Sequence, residues 1–237
     1  MSRRNYISPA SRPILFGLLF MTLFCLCLSS FRFATSATFT YAFLIWNLFL
    51  AWIPLVFAWL LYISTERSGL VWSLPNFIYA TMWFIFFPNA LYVVTDFVHL
   101  SGWFDDPERM YDIVLFFAYS VCGAILGLVG LLLVHIRTTQ RFGAYGHALP
   151  VIALLLAGFA IYLGRYLRWN SWDVAINPFG LLFDISDRLV HPTNHTVTYA
   201  ITALFFALYG TLYVFTWAIY RTATSSSKYS HGVRLRS

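Results

Sequence analysis

The side chains able to do chemistry gather in a few short stretches of this sequence. In Pro88-Asn89-Ala90-Leu91-Tyr92-Val93-Val94-Thr95-Asp96-Phe97-Val98-His99, Tyr92, Asp96 and His99 stand at i, i+4 and i+7. On a helix this spacing puts a phenol, a carboxylate and an imidazole on one face, with Thr95 beside them. Asp and His three apart can share a proton or supply two metal ligands, whereas a zinc site takes three or four. Pro88 removes a helical hydrogen bond, and Asn89 is placed to satisfy the carbonyl that it frees. The plainer reading is a proline-kinked helix that turns polar on reaching water.

Two further stretches supply possible partners. In Trp103-Phe104-Asp105-Asp106-Pro107-Glu108-Arg109-Met110-Tyr111-Asp112, Asp106 before Pro107 reads as a helix cap, and Glu108 complements the helix dipole. Asp112 lies one to two turns further in, against an apolar run, where a carboxylate is costly without a partner. In Gly164-Arg165-Tyr166-Leu167-Arg168-Trp169-Asn170-Ser171-Trp172-Asp173, Arg165 and Arg168 share a helix face. Pairing with Asp96, Asp112 or Asp173 is the simplest physical reason for these arginines, and snorkelling to lipid phosphates is the alternative. Asn47 is the clearest polar group inside an apolar run and reads as a hydrogen bond between helices.

The elements that must hold these groups follow from composition. Of 237 residues, 60% are hydrophobic and 10% charged, and the mean hydropathy is +0.71. Soluble domains carry roughly 25% charged residues, so a soluble enzyme, a disordered chain, a collagen and a disulfide scaffold are excluded. Six apolar runs are long enough to span a bilayer: about Pro13–Ser30, Thr38–Ile63, Leu70–Thr95, Tyr111–Ile136, His147–Leu167 and Thr196–Tyr220. They lack the alternation of barrel strands, so the expected fold is an all-α polytopic transmembrane bundle. Pro54 is expected to bend the second span and Pro88-Asn89 to interrupt the third. Gly123 and Gly127 give the fourth a close-packing face. Cys25, Cys27 and Cys122 all lie in apolar runs without metal-type spacing and read as small buried residues.

Six spans put both termini on one side. That side carries ten of the fifteen Lys and Arg residues: Arg3, Arg4, Arg12, Arg67, Arg137, Arg141, Arg221, Lys228, Arg234 and Arg236. It is therefore expected to be cytoplasmic. Eight of the nine acidic residues fall on the other side, all except Glu66. Insertion does not require that bias, so the outer face is chemically special. Residues 1–12 are expected to be a cytoplasmic N-terminus, 13–221 the membrane domain and 222–237 a basic, disordered tail. That tail would be drawn to anionic inner-leaflet lipids. Arg3 and Arg4 also resemble a signal-peptide start, but five following spans favour retention of the first segment as a helix. After Asn177-Pro178, Phe179, Leu182, Phe183, Leu189 and Val190 fall on one helical face. Asp184, Asp187, Arg188 and His191 fall on the other, as in a helix lying in the interface with its polar side to water.

The chain resembles a family of bacterial multi-pass membrane proteins, DUF1361, over about residues 40–180. The resemblance rests on Trp46-Asn47-Leu48-Phe49-Leu50-Ala51-Trp52-Ile53-Pro54, on Phe87-Pro88-Asn89-Ala90-Leu91-Tyr92 with Thr95-Asp96 and His99-Leu100, on Tyr111-Asp112, and most specifically on Gly164 through Asp173. Leu91 stands where the family tends to have a second proline, and Met110 where an aromatic usually precedes the Tyr-Asp pair. The resemblance implies a bacterial inner-membrane protein and supplies no activity.

No P-loop, serine elbow, HExxH or dinucleotide fingerprint is present. No cofactor is expected, no metal site is assigned, and the basic charge reflects topology rather than nucleic-acid binding. The expected partner is the lipid bilayer, and no stretch specifies a protein partner. The candidate polar cluster is Asn89, Tyr92, Asp96, His99, Asp112, Arg165, Arg168, Asn170 and Asp173, with Asn47 as intramembrane packing. Three functions remain open: an accessory or structural membrane protein, an outer-leaflet enzyme on a lipid or envelope substrate, and a small-solute transporter. Tight mutual pairs without a cavity favour the first. An outward pocket favours a substrate site, and a cavity reaching past Pro88 towards Asn47 favours transport.

Overall fold

The computed structural model describes residues 11–36, 39–68, 73–100 and 107–234. Among the described residues the protein is helical, without strands. In chain order it forms α1 (Ser11–Ser36), α2 (Ala42–Ser68), α3 (Leu74–Tyr92), α4 (Pro107–Phe142), α5 (Ala148–Tyr166), the one-turn α6 (Asp173–Ile176), α7 (Pro178–Val190) and α8 (Thr196–Arg234). Tighter 3-10 turns run over Val93–His99, Gly143–His147 and Pro192–His195.

Among the described residues five stretches are long and apolar enough to cross a membrane: Arg12–Ser36, Ala42–Glu66, Leu74–His99, Glu108–Tyr166 and Pro192–Ser225. The fourth, of 59 residues, is two helices. In one straight helix, residues 135 and 147 would lie roughly 18 Å apart along the axis. Instead Nε2 of His135 is 2.9 Å from Nδ1 of His147. The chain reverses through Gly143–His147, where Gly143 takes φ +59°, a conformation that glycine adopts without a Cβ clash. Six long helices therefore run along the bundle of a multi-pass membrane protein. The end of α1, the start of α4 and the end of α5 gather at one end, which the charge pattern predicts to be the outer one. The end of α8 returns to the other.

Two cores fill the bundle. Leu44, Leu48, Leu115, Phe116, Tyr119 and Leu126 pack α2 against α4 beneath α1. Phe87, Leu91, Leu131, Leu154, Ile161 and Tyr209 join α3, α4, α5 and α8. Lipid offers no hydrophobic drive between helices, so contact depends on close approach. The Gly123/Gly127 face provides it: a Cβ at Gly123 would lie 2.7 Å from the Ala90 carbonyl oxygen, and one at Gly127 2.9 Å from Leu91.

Several expectations change. α3 does not break at Pro88; it stays α-helical through Tyr92 and tightens only from Val93. Cys25 and Cys122 are buried, but Cys27 faces outward. α8 runs to Arg234, so the stretch from 222 to 234 is helical where its Ser-rich composition predicts disorder. Arg3, Arg4, the proposed caps Asp105 and Asp106, and residues 235–237 lie outside the described residues.

The interfacial helix turns its apolar face outward as expected, but much of its polar side meets protein where water was expected. In α7, Phe179, Leu182, Phe183, Leu189 and Val190 are exposed, whereas Arg188 is buried. The polar side faces protein: Asp184 accepts from Trp169 Nε1 at 2.7 Å, and Tyr199 of α8 donates to the Arg188 carbonyl at 2.7 Å. A membrane reverses the soluble-protein rule, because the apolar face has lipid to meet and the polar face has only protein. The end of α7 is clamped to the 3-10 turn that leads into α8 by Asp187, whose two oxygens accept from His191 Nδ1 at 3.0 Å and His195 Nε2 at 2.8 Å.

Two predictions follow from this packing. Gly123→Ala should destabilise the protein by about 1–3 kcal/mol through overpacking. Gly17→Ala, where a Cβ meets nothing within 4 Å, should leave stability unchanged; unfolding in detergent measures both. The hydrogen bonds from His191 and then His195 hold the Asp187 carboxyl below its ordinary 3.8. A lowered carboxylate contributes stability above its unfolded value and loses it as pH falls through the folded one. Amide exchange over 178–195 should therefore stay slow at neutral pH and rise only as pH falls below 3.8. Opening with a midpoint above that value would contradict the clamp.

Candidate functional site

The ends of α2, α3 and α5 that the charge pattern predicts to be outer meet at Asp96. In the 3-10 turn Val93–His99, residues three apart eclipse. Asp96 therefore lines up with His99, and Thr95 with Tyr92. Arg165, in the last turn of α5, reaches across to both rows. Its Nη2 donates to Asp96 Oδ1 at 2.7 Å and to Thr95 Oγ1 at 2.5 Å. Its Nε also donates to Thr95, at 3.0 Å, and Nη1 meets His99 Nε2 at 3.2 Å. The guanidinium lies over the Tyr92 ring, 4.6 Å from its centroid. Arginine only donates, so His99 Nε2 is the acceptor and carries no proton in this contact. Thr95 passes its own proton to the Tyr92 carbonyl at 2.7 Å. The second oxygen of Asp96 accepts from Asn47 Nδ2 at 2.7 Å. Asp96 is 1% exposed; a carboxylate there persists only because both oxygens are paired.

This network forms one wall of a cavity. α2 and α5 both pack on α3, and the space between them, about 460 Å³, is lined from Ile85 and Leu50 up to His99 and Trp172. Phe43, Trp46, Tyr92, Trp169 and Trp172 supply aromatic walls, and Asn47, Asn89, Asp96, Arg165 and Ser171 supply polar atoms. Ser171 binds at the proline turn: it accepts from Asn89 Nδ2 at 2.8 Å and donates to the Ile85 carbonyl at 3.2 Å. Asn89 thus reaches the loop after α5 and does not itself satisfy the carbonyl freed by Pro88. Tyr209 of α8 donates to the Leu91 carbonyl at 2.7 Å, where α3 changes to the tighter turn.

Asp112 belongs to a second network that leaves little space. Arg32 of α1 grips it with a two-pronged contact, Nε to Oδ1 at 2.6 Å and Nη2 to Oδ2 at 3.2 Å. Tyr41 donates to Oδ2 at 3.0 Å, and Glu108 meets Arg32 at 3.3 Å. Burial, and then the hydrogen bond to Asp112, raise the Tyr41 phenol above its ordinary 10, so it remains a donor. The adjacent gap holds only about 70 Å³.

The remaining candidates fall outside both networks. Arg168 is exposed, with φ 62°. It sits where Trp169 N–H closes back onto the Leu163 carbonyl at 3.2 Å, a left-handed helix stop that turns its side chain away. Asp173 meets no arginine; its Oδ2 accepts from the Asn170 backbone at 2.6 Å and from the Asn170 side chain at 3.4 Å. These two residues shape the loop that carries Ser171 and Trp172. Among the described residues no cluster of three His, Cys, Asp or Glu side chains could hold a metal ion. Sequence reasoning missed Arg32 and Tyr41 as the partners of Asp112. It also missed Ser171, whose available signal was only its place between two tryptophans.

Arg32→Ala would leave the Asp112 carboxylate buried without its cation and should cost about 3–5 kcal/mol in detergent unfolding. Arg32→Met with Asp112→Leu, which removes both charges, should recover most of that loss. A single variant as stable as the parent would show that the pair does not hold α1 in place.

No curated protein and no solved structure matches the chain. One family model does, over residues 46–212, a span that contains every residue lining the Asp96 cavity except Phe43. With most of its length and its central helices matched, the chain belongs to the family described as Protein of unknown function (DUF1361).

Proposed function

We propose that this multi-pass membrane protein binds, at its outer face, the polar head of an amphiphile drawn from the outer leaflet. The observation that carries the reading is the contrast between the two ion pairs. Asp112–Arg32 closes on itself, while Asp96–Arg165 borders a cavity of about 460 Å³ with aromatic walls, within the usual size range for small-molecule sites. Arg165 has five N–H donors, and its contacts to Thr95, Asp96 and His99 use four of them. Asn89 Oδ1 and the far nitrogen of His99 add capacity at the same height. The indoles of Trp46, Trp169 and Trp172 suit a molecule that is part polar and part apolar.

Binding is favoured over acid–base catalysis because both Asp96 oxygens are committed, one to Arg165 and one to Asn47. Asp96 anchors the donors rather than moving a proton. Passage of a solute is the second reading, favoured by the reach of the cavity past Pro88 to Ile85 and Leu50. The bias of ten positive charges to five supports an orientation with both termini in the cytoplasm of a bacterial cell and the cavity outside. The basic end of α8 would then lie against anionic inner-leaflet lipids.

Ala160 lines the cavity without belonging to the hydrogen-bond network. Ala160→Phe should fill the space, abolish retention of a co-purifying amphiphile in native mass spectrometry, and leave the melting temperature within a few degrees. Asn89→Ala should weaken retention about tenfold. Equal retention by parent and both variants would contradict a binding role. Uptake of solute into vesicles that Ala160→Phe blocks would favour the transport reading instead.

A further inference from the structure

At the opposite end of the bundle, a groove of about 600 Å³ runs between α5 and α8. Its walls are mainly apolar, among them Leu154, Phe206, Gly210 and Val214, and its polar groups come from His135, His147, Tyr213 and Trp217, together with Thr211, whose hydroxyl donates to the Leu208 carbonyl of its own helix at 2.8 Å. His135 lies 23 residues beyond Asp112 on α4, roughly 35 Å along the helix, close to the thickness of the hydrocarbon layer. An imidazole buried at that edge is a costly residue in a membrane helix.

His135, His147, Tyr213 and Trp217 form one unit. Nδ1 of His135 is 2.7 Å from the Tyr213 hydroxyl, and Nε2 is 2.9 Å from Nδ1 of His147. The Trp217 ring lies against His135 with centroids 4.1 Å apart. His147 is exposed at the groove. Its Nε2 has no hydrogen-bond partner among the described residues. The chain of three can be protonated in either direction without net charge. If Tyr213 donates to His135 and His135 to His147, then Nε2 of His147 presents N–H to the groove. If His147 donates to His135 and His135 to Tyr213, the same atom presents a lone pair.

We propose that this groove binds a membrane-borne quinone, with its ring oxygen on His147 Nε2, its ring beside Trp217 and its tail along the apolar walls of α5 and α8. Reversal of the chain lets one imidazole meet either a ring carbonyl, which needs a donor, or a ring hydroxyl, which needs an acceptor. Among the described residues no Arg or Lys lines the groove, so they offer none of the cation forks that hold a phosphate head. Its position at the inner edge of the apolar layer is where the ring of such a molecule leaves the hydrocarbon while its tail remains inside. This site is separate from the Asp96 cavity and does not depend on the function proposed for that cavity.

The test uses the full chain in nanodiscs of neutral phospholipid, with decylubiquinone as the probe and empty nanodiscs as the baseline. Saturable binding near one molecule per chain is expected. His147→Ala, at an exposed position, should weaken it at least tenfold. A Cβ at Gly210 meets nothing within 4 Å, so Gly210→Phe should occupy the groove and weaken binding similarly while the melting temperature holds. Binding no greater than in empty nanodiscs would overturn the proposal. So would binding unchanged by His147→Ala, or a groove that retains phospholipid and excludes the quinone.

Discussion

The hydrocarbon layer of a bilayer cannot donate or accept a hydrogen bond, and most of this structure answers to that constraint. Each charge that enters the edge of the apolar layer has to bring its partner from another helix. Asp112 on α4 is met by Arg32 on α1, and Asp96 after α3 by Arg165 on α5 and Asn47 on α2. Arg137 on α4 meets Glu66 on α2 at the far end and lies over the Tyr62 ring. These pairs contribute less by net attraction than by making the alternatives expensive. A helix that slid or rotated would strand a carboxylate or a guanidinium in hydrocarbon, at several kcal/mol per ion. Arg32, Arg165 and Arg137 thus help to set the register of the bundle.

The same chemistry produces two different outcomes at the two outer pairs, and the difference lies in the neighbours. Around Asp112 the partners come from α1, from Tyr41 just before α2, and from Glu108 on α4 itself, and they converge until no usable space remains. Around Asp96 the partners come from α2 and α5, which both lean on α3. The helix they lean on ends there in a narrower 3-10 turn, and indole rings fill the rim. Small side chains are the other requirement. Gly164 lets the Tyr92 ring lie against α5, since a Cβ there would stand 3.3 Å from that ring. Arg165 can then stack on Tyr92 and reach Asp96 at once.

What the sequence made legible were features set by local composition. Apolar runs marked all six long helices, because length and hydropathy suffice in a bilayer. The placement of Asp96 and Arg165 at one end of the bundle, and the need of Asp112 for a partner, also followed from position along those runs. What it could not assign was pairing, which depends on rotation about each helix axis. Arg165 and Arg168 are equivalent by spacing, yet one residue in a left-handed conformation after α5 separates them. Nothing in the segment around Arg32 points to a residue 80 positions away. The surroundings of the polar side of α7 were not legible for a physical reason: amphipathicity fixes that one face is polar, and the neighbours decide whether that face meets water or protein.

α4 ties the ends together. It carries Asp112 near one edge of the apolar layer and His135 near the other, with the Gly123/Gly127 face pressed against α3 between them. Because Gly123 and Gly127 bring α3 almost into backbone contact, the height of Asp96 relative to Asp112 is set by packing in the middle of the membrane. The Asp96 cavity therefore owes its shape to apolar contacts well away from its polar atoms. By the same logic the groove at His135 depends on α8, which is held to the end of α3 by the Tyr209–Leu91 bond and which brings Tyr213 and Trp217 one and two turns further along. Two polar sites at opposite edges thus share one rigid apolar middle. Polar groups specify what each edge can hold, and the close helix contacts between them specify where it is held.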